Sequence, residues 1–179
     1  MPRITLAPLD ATEPRELVDA LRQRRGGRLF GVDRMLLRSA SFAEGFNYFA
    51  SRVRGETTVQ RSYLEIAICL VGLINGAQYE YHHHLEQWRE AGATEAKIEG
   101  LAIVAAGGAS NSFTPQEQAV IRLARDMTCD VAVSDETVDE LRRYFDERQF
   151  FDIAAIIAFY NMVSRMLVVF GVEVEHDNE

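Results

Sequence analysis

The chain predicts an all-α fold, a helical bundle, and three observations carry that expectation. No stretch alternates apolar and polar residues as a half-buried strand does. Helix start and stop signals recur along the whole chain, the strongest being Thr114-Pro115-Gln116-Glu117, with a capping hydroxyl, Pro at the first helical position and Glu at the third. Two runs, Ile66 to Ile74 and Ile153 to Phe170, are apolar enough to form helices largely surrounded by protein.

The elements follow in order. A first helix is expected from about Glu13 to Arg25, then a Gly-rich joint, then a second from about Met35 to Arg54 that breaks at Gly45. The run from Ile66 to Ile74 has no polar face and ends at Asn75-Gly76, since Asn and Gly accept turn conformations cheaply. Asn75 with Gln78 three residues on resembles a capping box, so the next helix should start near Ala77. Gly92 stops it, and Thr94 starts a helix to about Ala106 that Gly107-Gly108 ends. After Thr114, Val120, Leu123, Ala124 and Met127 follow at helical spacing. Ser134 opens a helix carrying Val138, Leu141 and Tyr144-Phe145, and the last helix runs from about Phe150 to Phe170.

With 179 residues and 47% hydrophobic content, the chain can bury a core as a single domain over residues 1–179, with 1–12 and 173–179 expected to be flexible. A net charge of −8 argues against nucleic acid as a partner. The segment Arg15 to Arg28 is locally basic, but it also holds acidic residues and two glycines and reads as a helix end and loop. Residues 1 to 20 lack an apolar core of signal-peptide length, and the apolar helices read as interrupted or too short for a membrane span. The expectation is a soluble, cytoplasmic protein with no membrane partner.

The chemistry concentrates between Glu65 and His84. Glu80 and His84, four residues apart, share one helix face, with His83 and Gln87 at its edges. Glu80 lies near the first turn, where the helix dipole favours its ionised form while burial opposes it. A carboxylate touching an imidazole on a dry wall is a plausible proton-transfer pair. Glu65 can join only if the chain folds back at Asn75-Gly76, because fifteen residues of continuous helix would separate it from Glu80 by about 22 Å. The competing readings are a buried hydrogen-bonded pair without chemistry and a metal site built from Glu65, Glu80, His83 and His84. Three consecutive histidines point in three directions and no His-Glu-x-x-His spacing is present, so no metal is expected.

The spacing resembles the carboxymuconolactone decarboxylase-like family, which shares the alkylhydroperoxidase D fold. Its peroxidase members carry Glu, eleven residues, then Cys-x-x-Cys-x-x-x-His. Here Glu65 is followed by eleven residues, Ala77, Gln78, Tyr79, Glu80, three residues and His84. Glu65 and His84 carry over, while the two thiols have become Ala77 and Glu80. Tyr79-Glu80-Tyr81 before His84 looks like the non-peroxidase branch, and the resemblance extends over about residues 30–175, through Ala91-Gly92, Phe159-Tyr160 to Arg165, and Val174-Glu175.

The resemblance implies an alkylhydroperoxidase D-like bundle that assembles as a symmetric homo-oligomer, a trimer or hexamer, with a pocket at a subunit interface. Thiol peroxidation needs one thiolate to attack and a second thiol to resolve, and neither Ala77 nor Glu80 serves. Cys69 and Cys129 sit in separate apolar helical patterns and are expected to be buried and inert; residual peroxide reduction through one of them is a third possibility, against that expectation. Trp88 reads as core or interface. What survives is acid–base chemistry or simple binding; the resemblance implies that the chemistry is a cofactor-independent decarboxylation, isomerisation or lactone reaction on a small organic acid or lactone. In it Glu80 or His84 moves a proton, Glu65 orients the imidazole, and Arg61 or Arg165, with His83, binds the substrate. The runner-up is an oligomer of the same fold that binds a ligand without turnover.

Overall fold

The computed structural model describes residues 2–175, and its described residues form helices and turns with no strand. The chain divides into two compact units, Met1–Glu56 with Leu167–Glu179, and Thr57–Met166.

The first unit contains α1 (Arg15–Arg24), α2 (Gly31–Leu36) and α3 (Ala40–Gly55), with α3 packed on both of the others. Val18, Leu21 and Leu29 are its buried cluster, covered by Ala11, Leu17 and Leu37. The expected single helix from Met35 to Arg54 is two helices, and the break lies at Leu37–Ser39 rather than at Gly45. Ser39 adopts an extended conformation that no helix continues through. Gly45 lies inside α3, where a Gly weakens a helix by about 1 kcal/mol relative to Ala without breaking it. Arg3 N–H donates to the Phe170 carbonyl at 2.7 Å and Ala7 N–H to the Arg34 carbonyl at 3.0 Å. The Glu175 carboxylate accepts from Gly31 N–H; of the acidic C-terminal run expected to be flexible, residues 176–179 lie outside the described residues.

The second unit is built on α4 (Arg61–Ile74), which packs against α5 (Gln78–Glu90), α6 (Glu95–Ala105) and α7 (Pro115–Cys129). Of the apolar run Ile66 to Ile74, Ile66 to Gly72 is buried, as the lack of a polar face requires, and Leu73 and Ile74 are partly buried. Thr94, Thr114 and Ser134 each accept from a backbone N–H three residues on, and Glu117 completes the Thr114 capping box. α8 (Asp135–Arg142) packs on α7, and Trp88 is fully buried core.

α9 (Glu147–Phe170) starts one turn earlier than its apolar run suggests. By length and composition it is long enough to cross a membrane, against the expectation from its polar interruptions; half of its most apolar stretch is buried inside the protein. Asn161, Ser164 and Arg165 do not shorten it because their side chains hydrogen-bond within the helix and to neighbouring elements.

Candidate functional site

The turn between α4 and α5 makes the site. Gly76 takes φ +67°, a left-handed conformation that costs Gly little. Ala77 N–H then reaches back to the Gly72 carbonyl at 2.8 Å and Gly76 N–H to the Leu73 carbonyl at 3.2 Å, the paired bonds of a Schellman cap. Asn75 does not open α5 as a capping box would. Ala77 is the N-cap residue and makes no side-chain cap bond. The Asn75 amide donates instead to Asn161 Oδ1 at 3.1 Å and Ser164 Oγ at 2.7 Å, a stronger use of a half-buried amide than a first-turn N–H. Past the turn α5 runs close against α4. A Cβ on Gly72 would stand 3.2 Å from the Tyr81 backbone nitrogen, so the close approach depends on that glycine.

This hairpin brings Glu65 and Glu80 to one imidazole. His84 Nδ1 lies 2.6 Å from Glu65 Oε2, and Nε2 lies 3.1 Å from Glu80 Oε1. All three residues are buried, at 2%, 6% and 4% exposure for Glu65, Glu80 and His84. Tyr160 on α9 stands edge-on to the ring, centroids 4.9 Å apart. Burial alone would push the imidazole toward neutrality; hydrogen bonds to Glu65 and Glu80, and their charge, outweigh it and raise its pKa above the ordinary 6.5. With both nitrogens facing carboxylates, the ring satisfies both contacts as a double donor, the imidazolium form.

Cys69 follows Glu65 by one helical turn and is fully buried. Burial, then the Glu65 and Glu80 charges, hold its thiol well above its ordinary range, the opposite of what a nucleophilic thiolate needs. Cys129 departs from expectation: it is exposed, because it ends α7 where the chain turns away from the core.

The other predicted residues fall in two groups. Arg61 borders the site, with Nε 3.6 Å from Glu65 Oε1, and also reaches Glu90 at 3.2 Å and Gln87 at 3.4 Å while half exposed. His83 points away from the triad: it is partly buried against the Tyr79 ring, 4.4 Å between centroids, because one residue along a helix turns a side chain by about 100°. Arg165 donates to the backbone and side-chain oxygens of Asn161. The two carboxylates address opposite ring nitrogens and so do not converge on one point; among the described residues no group of three or more His, Cys, Asp or Glu could hold a metal ion. Sequence reasoning misses two site features, Tyr160 and the nearness of Cys69. The Glu65–Cys69 spacing of four residues is the available signal for Cys69, whereas nothing local marks Tyr160.

Residues 40–126 match the model of the carboxymuconolactone decarboxylase family. The chain is 26% identical over 118 residues to the uncharacterized protein YdfG of Bacillus subtilis (strain 168), covering 65% of this chain and 78% of that one. Among solved structures it resembles an uncharacterized peroxidase-related protein from Ralstonia eutropha JMP134 with an alkylhydroperoxidase AhpD core, at TM-score 0.80, 16% identity and coverage of 98% and 93%. It also resembles the debrominase Bmp8, in a cysteine-to-alanine variant bound to 2,3,4-tribromopyrrole, at TM-score 0.77, 18% identity and coverage of 98% and 94%. At these identities the structural likeness establishes the fold, an alkylhydroperoxidase D-like helical bundle.

Proposed function

We propose that this carboxymuconolactone decarboxylase-like chain, of the branch without motif thiols, is a cofactor-independent acid–base enzyme acting on a small organic acid or lactone, with Glu80 as the proton-transfer group. The observation that carries this reading is the commitment of both His84 nitrogens, at 2.6 Å to Glu65 and 3.1 Å to Glu80. A ring held on both sides is a poor base toward a third party but an effective partner for a carboxylate. The ring contact uses Oε1 of Glu80, and Oε2 is the oxygen left for a substrate.

In a decarboxylation the substrate supplies its own electron sink, a β-carbonyl or conjugated lactone. The C–C bond to the carboxylate breaks, carbon dioxide leaves, and the electron pair passes into the sink. Glu80, taking up a proton from solvent as the substrate binds, delivers it to the carbanion or enolate carbon, and the His84 imidazolium, braced by Glu65, stabilises the carboxylate that remains. In an isomerisation the same carboxylate first removes the proton. Arg61 is the cation for a substrate carboxylate: its links to Glu90 and Gln87 lie at the surface, where such pairs are worth about 0–1 kcal/mol and are readily exchanged. That a debrominase of this fold binds a small ring supports a cyclic substrate of similar size.

The deep burial of all three groups favours a second reading, a ligand-binding oligomer without turnover. A thermal-shift and turnover screen of the native protein and Glu80→Gln against small carboxylates, β-keto acids, lactones and halogenated pyrroles separates them. An acid or lactone that raises Tm and is converted, with both effects lost in Glu80→Gln, supports the enzyme. Raised Tm without conversion supports the ligand-binding reading.

A further inference from the structure

The structure assigns a role to a cluster that lies outside the triad. Asn161 on α9 accepts at Oδ1 from the Asn75 amide at 3.1 Å and from Arg165, and its own amide donates to Thr128 Oγ1 and to the Ile157 carbonyl, both at 3.0 Å. Thr128 Oγ1 in turn donates to the Ala124 carbonyl at 2.5 Å, and Ser164 Oγ gives Asn75 a second acceptor at 2.7 Å. Asn161 and Ser164 are buried, so every missing bond here would leave a polar group dry. Tyr160, one residue before Asn161, stands against the His84 ring. Consecutive residues of α9 thus touch the two ends of the same device: the imidazole, and the turn that brings the second carboxylate to it.

We propose that Asn161, acting through Asn75, is a positioning residue of the site: by fixing the α4–α5 turn it holds Glu65 and Glu80 on opposite nitrogens of His84. A Schellman cap satisfies the backbone at the turn but leaves the swing of α5 against α4 to be set by packing, and the Asn75 amide ties the pivot to α9 and, through Asn161, to Thr128 of α7. Glu65 sits ten residues before Asn75 and Glu80 five after it, so a small rotation at the pivot is multiplied at the carboxylates. This inference rests on the site geometry behind the proposed function but does not require turnover.

The test reads the ring itself. The groups that face His84 are Glu65 from α4, with Arg61 behind it, Glu80 on its own helix, and Tyr160 from α9, while the Cys69 thiol of α4 lies within range of the two carboxylates. Nitrogen-15 NMR titration of the histidine side chains in the full chain, assigned through His82→Gln, His83→Gln and His84→Gln, follows its protonation without any substrate. Asn75→Ala is expected to lower the proton affinity of His84 by about tenfold, one pH unit, as Glu80 drifts off Nε2. Ser164→Ala, which removes one of the two Asn75 acceptors, is expected to shift it by less in the same direction. Asn161→Ala, which removes the other Asn75 acceptor, is expected to lower it likewise. A His84 titration unmoved in Asn75→Ala and Ser164→Ala, with only Tm reduced, would overturn the proposal, since a purely structural cluster costs stability without touching the ring. Should Asn75→Ala not fold, Asn161→Ala and Ser164→Ala carry the test. An inactive protein whose His84 responds as expected would sink the enzyme reading and leave this one standing.

Discussion

The Glu65 carboxylate meets His84 Nδ1 at 2.6 Å across nineteen residues of chain, with both side chains almost fully buried. A short contact in a dry setting is electrostatically strong, and removing one partner leaves the other stranded. The imidazole is therefore both a site component and a stability element, and the two roles can be separated by pH.

Because the folded-state pKa of His84 is raised above its unfolded value near 6.5, its contribution to stability is fully present below that pH and is lost as pH rises through the folded value. Urea unfolding of the native protein should show this component declining on the alkaline side of pH 6.5. In Glu65→Gln the decline should still begin near pH 6.5, which the unfolded chain sets, but should be smaller and end at lower pH, with stability at pH 6 reduced by about 1–3 kcal/mol for the weakened buried hydrogen bond. An unchanged pH profile in Glu65→Gln would count against the imidazolium assignment.

Gly72 sits where α4 and α5 approach, and the atoms a Cβ would meet belong to the Tyr81 backbone and its Cβ, which cannot rotate away. Gly72→Ala gains about 1 kcal/mol of helix propensity but pushes against a packed helix, which costs about 1–3 kcal/mol. The expected net result is a loss of stability together with a shift of the His84 ring resonances. A stabilised variant with native ring signals would show that the helices separate without consequence for the site.

The two cysteines should behave oppositely toward a thiol reagent. Cys129 is exposed and should react in the native protein, whereas Cys69, fully buried and held as a thiol by burial and by Glu65 and Glu80, should react only on unfolding. Rapid native-state labelling of Cys69 in a Cys129→Ser background would contradict this and revive thiol chemistry at the site.

The helical fold is legible in the sequence because its signals are local. Thr94, Thr114 and Ser134 announce their helices through a hydroxyl and a backbone N–H three residues away, and the run Ile66 to Ile74 declares a surrounded helix by lacking a polar face. Glu80 and His84 are legible as a pair for the same reason, four residues on one helix. Asn75 misleads because its local option, a capping box, competes with partners 86 and 89 residues away that no spacing reveals. Tyr160 depends likewise on how α9 lies against its neighbours, whereas Arg165 turns to Asn161 on its own helix. The break at Leu37–Ser39 escapes notice because Gly45 is the conspicuous residue, while the actual stop needs only one extended serine.

The central claim is that Glu80 moves the proton, and solvent exchange tests it most directly. The native protein and Glu80→Gln would be incubated in deuterium oxide with a panel of small lactones and β-keto acids, and deuterium uptake at the carbon next to the carbonyl followed by proton NMR. The account predicts enzyme-dependent exchange on at least one compound, reduced by about 100-fold or more in Glu80→Gln. Exchange that persists undiminished in Glu80→Gln, or none above background across the panel with the native protein, would contradict it.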